Sequence, residues 1–109
     1  MRTHATDTTA YTPNPGTGAD AVITVAADEK HGWVIDEMDA SYDDPSTAVG
    51  TLIVTFGGVV VWKRQLAALG NMGQFSFKSG LGNGKKNEAL VITLKGLSGV
   101  TGSLNANIR

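Results

Sequence analysis

The C-terminal ten residues alternate without a fault. Val100, Gly102, Leu104, Ala106 and Ile108 fall on one side of an extended chain, and Thr101, Ser103, Asn105, Asn107 and Arg109 on the other. A side-chain period of two marks a strand with one buried face. A chain that ends this way must also supply neighbouring strands and a second layer to cover the apolar side. The same texture recurs from Ala21 onward, and no 3.6-residue period interrupts it.

Seven strands are expected: 21–26, 33–42, 51–56, 59–66, 74–79, 88–95 and 100–109. In the second, Val34, Met38, Ala40 and Tyr42 share a face and Asp36 interrupts it. Asp43-Asp44-Pro45-Ser46 has turn composition. Phe75 and Phe77 point inward from the fifth. Many short strands joined by Gly-rich turns imply an all-β fold, a β-sandwich or jelly roll, with Phe56, Phe75, Phe77, Ile92 and Leu104 buried between two sheets.

Residues 1–20 have no such pattern. They are rich in Thr, Pro and Gly, with Tyr11 as the one aromatic residue. Such a stretch cannot bury enough apolar area to offset its ordering entropy. Pro13 and Pro15 favour an extended path. The expected organisation is an extended or disordered N-terminal arm, residues 1–20, and one β-sandwich domain, residues 21–109. Cysteine is absent, so no disulfide supports the core, in keeping with a reducing compartment. Met1 to Gly18 lacks the apolar centre of a secretory signal. Leu52 to Trp62 is too short to span a bilayer as a helix.

The net charge of -1 provides no general attraction to nucleic acid. Its distribution is uneven. Residues 1–54 hold nine acids against two bases, and residues 55–109 hold one acid against seven bases. Interleaving on folding would mix these charges; complementary patches would instead dock copies of the protein on one another or on a partner.

Gly57-Gly58 between β-branched runs signals a tight hairpin. If Phe56 opposes Val59, a regular register sets Val54 against Val61 and Ile53 against Trp62. One face is then Leu52, Val54, Phe56, Val59 and Val61, facing the core. The other joins Ile53, Val60 and Trp62 to Thr51, Thr55 and Arg64. Either a loop such as 66–72 covers this second patch, or it is an intersubunit contact.

The sequence offers no convincing catalytic set. Gly80-Leu-Gly-Asn-Gly-Lys-Lys86 superficially resembles a phosphate loop, but its spacing is one residue short. Lys86 stands where a hydroxyl residue is needed, and a strand rather than a helix follows. His4 and His31 lack metal-ligand spacing, and His31 beside Asp28 and Glu29 reads as a surface histidine. Ser41 and Asp43 make no triad without a placed histidine. Asp36, Glu37, Asp39, Asp43 and Asp44 read as a solvated acidic edge rather than a calcium site. No cofactor and no enzymatic activity are expected.

The order of an arm, Ala21-Val-Ile-Thr-Val-Ala-Ala27, His31-Gly-Trp-Val-Ile-Asp36, Ala40-Ser-Tyr42 and Gly50-Thr-Leu-Ile-Val54 continues in a short Phe strand and a Gly-rich loop. Glu88-Ala-Leu-Val-Ile-Thr-Leu94 and Gly102-Ser-Leu-Asn-Ala106 follow. This layout resembles the small jelly-roll virion proteins of tailed bacteriophages, most of all head decoration (cement) proteins. The resemblance spans about residues 21–109 and lies in strand texture, without a diagnostic motif. It implies a structural protein on the capsid surface of the virion, made in the host cytoplasm. Its partners would be itself, as a homotrimer, and the major capsid protein, whose capsomers it would bridge. Nucleic acid and membrane are not among the implied partners. The contact residues expected from these readings are Tyr11, Pro13, Pro15, Ile53, Val60, Trp62 and Arg64, with the arm as a clasp. The alternatives are a phage tail, neck or fibre-attachment component, or a carbohydrate-binding jelly-roll module. The last needs an exposed aromatic platform with polar neighbours, for which Trp33, Tyr42 and Trp62 are the candidates.

Overall fold

A computed structural model of the chain describes residues 9–11, 16–44, 47–67 and 72–109. Among these, every regular element is a strand: β1 (Thr9–Tyr11), β2 (Ala21–Val25), β3 (Ile35–Tyr42), β4 (Gly50–Phe56), β5 (Val59–Leu66), β6 (Met72–Leu81), β7 (Leu90–Leu94) and β8 (Gly102–Ile108). Strands β1-β8-β3-β6 form one sheet and β2-β7-β4-β5 the other. The pairs 4–5, 3–6, 2–7 and 1–8 are those of one long hairpin. Rolling it up places alternate pairs in opposite layers, which is the eight-stranded jelly roll. All the ladders between these strands are antiparallel.

Seven strands fall where the apolar alternation places them. The eighth, β1, lies in the arm and pairs with β8, Thr9 opposite Ile108 and Tyr11 opposite Ala106. Pro13 and Pro15 lie outside the described residues. The core is the set of inward positions of both sheets. Phe56, Ile92 and Leu104 are at most 1% exposed, whereas Phe75 and Phe77 are half-buried at the sandwich margin. Fully burying each such large apolar side chain contributes about 1.5–3 kcal/mol. Tyr42, also in this layer, donates its hydroxyl to the Lys95 carbonyl at 2.5 Å. Burial, with a smaller contribution from the Asp20 charge, pushes its phenol pKa up and keeps it a donor.

The β4–β5 hairpin departs from a regular register. Its turn fits two glycines, at φ 58° and 83°, and Phe56 does oppose Val59. Thr55 then pairs with Val60, but Val54 pairs with Trp62 and Ile53 with Lys63, leaving Val61 as an extra residue in a bulge. A bulge shifts all later side chains by one face. Trp62 therefore shares the inner face with Val54 and meets Phe75 and Phe77 edge-on, with ring centroids 5.0 and 5.8 Å away. Arg64 lies 5.6 Å from the Trp62 ring centroid. The expected Ile53/Val60/Trp62 face thus loses Trp62. Val59 and Val61 are 64% and 38% exposed and do not line the core. Ile53 and Val60 stay on the outer face, in cross-strand rows with Thr93 and Thr55. Residues 68–71 of the loop proposed to cover that face lie outside the described residues.

Among the described residues, two ion pairs join the acidic first half to the basic second half: Asp20 with Lys95 at 3.2 Å and Asp36 with Arg109 at 2.9 Å. To this extent the charges mix on folding. Asp36 sits where β3 shifts register between Ile35 and Glu37. Thus Ile35, rather than Val34, begins the buried face.

Candidate functional site

A concave cleft lies between the β2–β3 loop and the β6–β7 loop. About 200 Å³ in volume, it is lined by Lys30, His31, Gly32, Trp33, Val34, Gly84 and Lys86. Each wall is built by local side-chain-to-backbone bonding. In the first loop Asp28 Oδ1 accepts the Lys30 amide at 2.8 Å, and Asp28 Oδ2 lies 3.0 Å from His31 Nδ1. An aspartate bonding two residues ahead in this way closes a turn. The Trp33 indole donates to the Ala26 carbonyl at 3.0 Å, which fixes the ring's polar edge. Val34 and Arg109 exchange backbone hydrogen bonds at 2.8 and 2.9 Å, anchoring this wall to the C-terminal strand.

The second loop repeats the device. Asn83 Oδ1 accepts the Lys85 amide at 3.1 Å, and the Asn83 amide donates to Glu88. Asn87 adopts φ 60°, and its amide donates to the Asp28 carbonyl at 2.8 Å, tying the walls together. Gly32 makes this approach possible, since a Cβ there would stand 2.6 Å from the Lys85 carbonyl oxygen. The segment that superficially resembled a phosphate loop is therefore one wall of a two-loop cleft. Its first residues, Gly80 and Leu81, belong to β6.

A shallower depression of about 400 Å³ lies against β3 and β6, lined by Asp39, Ala40, Ser41, Gly73 and Gln74. It is larger, but its walls are neighbouring strands and, among the described residues, Asp39 is its one ionisable side chain. The cleft brings an aromatic residue, an imidazole and two ammonium groups together from distant parts of the chain. That convergence of polar groups on an apolar wall is what small-ligand sites require.

The other expected site residues are dispersed. Tyr42 is buried, and Trp62 is engaged with Phe75 and Phe77. Of the three aromatic candidates, Trp33 alone lines the cleft. Tyr11 is in β1, while Ile53, Val60 and Arg64 lie on the β4–β5 ribbon, remote in sequence from both loops. Among the described residues, no group of three or more His, Asp or Glu side chains is placed to hold a metal ion. Lys30 had no sequence signal as a site, and Gly84 and Lys86 had only that of the rejected phosphate-loop resemblance. The two segments were legible as loops, but neither their Asx-type turns nor their meeting across more than fifty residues was.

No protein-family model matches the chain, and no curated protein matches it. Solved structures with a similar fold include the CBM36-1 domain of a multidomain xylanase from the hindgut metagenome of Trinervitermes trinervoides. It has 11% identity and a TM-score of 0.48, covering 90% of this chain and 82% of that one. The Yersinia pseudotuberculosis-derived mitogen has 16% identity and a TM-score of 0.48, with 91% and 83% covered. A carbohydrate-binding module CBM36 in complex with calcium and xylotriose has 11% identity and a TM-score of 0.43, with 90% and 76% covered. At these identities and TM-scores the likenesses bring no function to this chain.

Proposed function

We propose that the chain is a non-catalytic jelly-roll module that recognises carbohydrate at the cleft between the β2–β3 and β6–β7 loops. The observation that carries this reading is the convergence of Trp33 with Lys30, His31 and Lys86 in one bonded cleft. An aromatic wall supplies apolar contact to a sugar ring, and amine, imidazole and backbone groups supply hydrogen bonds to its hydroxyls. The volume is below the roughly 300–1,000 Å³ of drug-sized sites. It suits one residue of a longer chain rather than a whole ligand. A glycan array probed with the full chain and with Trp33→Ala tests the reading, with a melting curve to confirm that the variant folds. Binding that the substitution abolishes is expected; no binding, or binding indifferent to Trp33, rejects it.

A second reading, as a structural virion protein decorating and cementing a phage capsid, draws on a different observation. The N-terminal segment adds a strand, β1, to the β8 edge. Strand addition is also how an arm can engage a neighbouring subunit. Under this reading the partners are the major capsid protein and further copies of the chain, as a trimer. Loss of particle occupancy on removing the arm supports it, and unchanged occupancy opposes it.

A further inference from the structure

We propose that the cleft selects an acidic glycan, one bearing a carboxylate or a sulfate ester on the bound residue. The proposal rests on the carbohydrate reading for the sugar and on the cleft's own charge for the acid group.

Among the described residues that line it, two are lysines, one is histidine, and none is acidic. The lysines differ from the two ion-paired cations of the fold, and unlike Lys63, Lys78 and Lys85, also unpaired among the described residues, they line the cleft. Lys95 and Arg109 are paired with Asp20 and Asp36, whereas among the described residues Lys30 and Lys86 have no carboxylate in ion-pair range. The acids nearby in sequence are already occupied or turned to solvent. Both Asp28 oxygens are engaged, one by the Lys30 amide and one by His31. Glu88 accepts from Asn83 and lies beside Gly57, and Glu29 is exposed on the loop. Lys85 adds a further exposed positive charge beside Lys86.

Gly84 opens the approach. Nothing lies within 4 Å of where its Cβ would stand, so a ligand can come up against bare backbone. An oxyanion set there, between the Lys30 and Lys86 ammonium groups, would complete charge-assisted hydrogen bonds that the folded chain leaves unmade. Its sugar ring would then lie toward Trp33.

The test is calorimetric titration of the full chain with three oligosaccharides of equal length: a uronic acid oligomer, a sulfated glucan and an uncharged glucan. The Lys30→Gln/Lys86→Gln variant is run in parallel, and inorganic sulfate is followed by amide chemical shifts. The expected result is tighter binding of one or both acidic oligomers, weakened about tenfold or more by the double substitution and by added salt. The two acidic arms distinguish carboxylate from sulfate. Shifts at residues 84–86 with sulfate alone support the anion-binding half of the proposal; if no glycan then binds, the carbohydrate reading fails and the acidic-glycan assignment with it. Equal affinity for charged and uncharged oligomers, unchanged in the double variant, overturns the proposal and leaves the carbohydrate reading standing. No binding of any probe overturns both.

Discussion

Gly32 sets how closely the two loops approach. Its missing Cβ leaves room for the Lys85 carbonyl oxygen, 2.6 Å from where that atom would be. Gly32→Ala forces one wall to retreat, and overpacking of this kind costs about 1–3 kcal/mol. Urea unfolding should show that loss, and cleft binding should weaken as well; a variant as stable as the parent would mean that the contact is loose. Asp20 gives a second test at this scale. The Gly96 amide donates to its carboxylate at 2.7 Å and lowers its pKa, with partial opposition from desolvation and further lowering by Lys95. A carboxylate with a lowered folded-state pKa adds stability at neutral pH and loses it as pH falls through that pKa. Asp20→Asn should therefore narrow the drop in thermal midpoint between about pH 7 and about pH 3. The change should be small, because the side chain is 40% exposed and water screens it.

Among the elements, β5 best shows what period-two reasoning can and cannot deliver. The Gly-Gly turn, the Phe56–Val59 pair and the strand ends were legible, because turn chemistry and β-branched runs are local signals. The Val61 bulge was not. A bulge is chosen by packing, here by the gain from placing Trp62 against Phe75 and Phe77 rather than in water. Nothing in Val59-Val60-Val61 distinguishes the extra residue from its neighbours. The correction changes what Trp62→Ala should do. The substitution removes the closure of the sandwich along β5 and β6, and the expected cost is about 2–4 kcal/mol, in the range for large-to-small aromatic changes. Chemical denaturation measures it; a loss below about 0.5 kcal/mol, the scale of an ordinary surface change, would return Trp62 to the outer face. The bulge also guards the sheet. Together with Lys63 and Arg64 it twists and charges the exposed β5 edge, which discourages strand pairing with other chains.

For the whole molecule, the jelly roll was legible from strand number, spacing and turns, but its first strand was not. Thr9-Ala10-Tyr11 lies in Thr- and Pro-rich sequence too short for periodicity to register, and its strand character comes from the β8 edge beside it. The cleft was hidden for a related reason. Its loops are adjacent because β2 pairs with β7, a long-range choice. Removing residues 1–15 should leave a folded β protein with an uncovered β8 edge. The expected signs are an unchanged circular dichroism shape, a thermal midpoint lowered by several degrees and greater self-association in sedimentation. An unaltered midpoint would mean that β1 adds nothing to the fold. The account as a whole depends on where a ligand lands. The most direct measurement is an amide chemical-shift map of the labelled full chain titrated with the uronic acid, sulfated and uncharged oligosaccharides. The account predicts saturable shifts confined to residues 30–34 and 84–86, with both outer sheet faces still. Shifts on a sheet face, or none with any of the three, would contradict it.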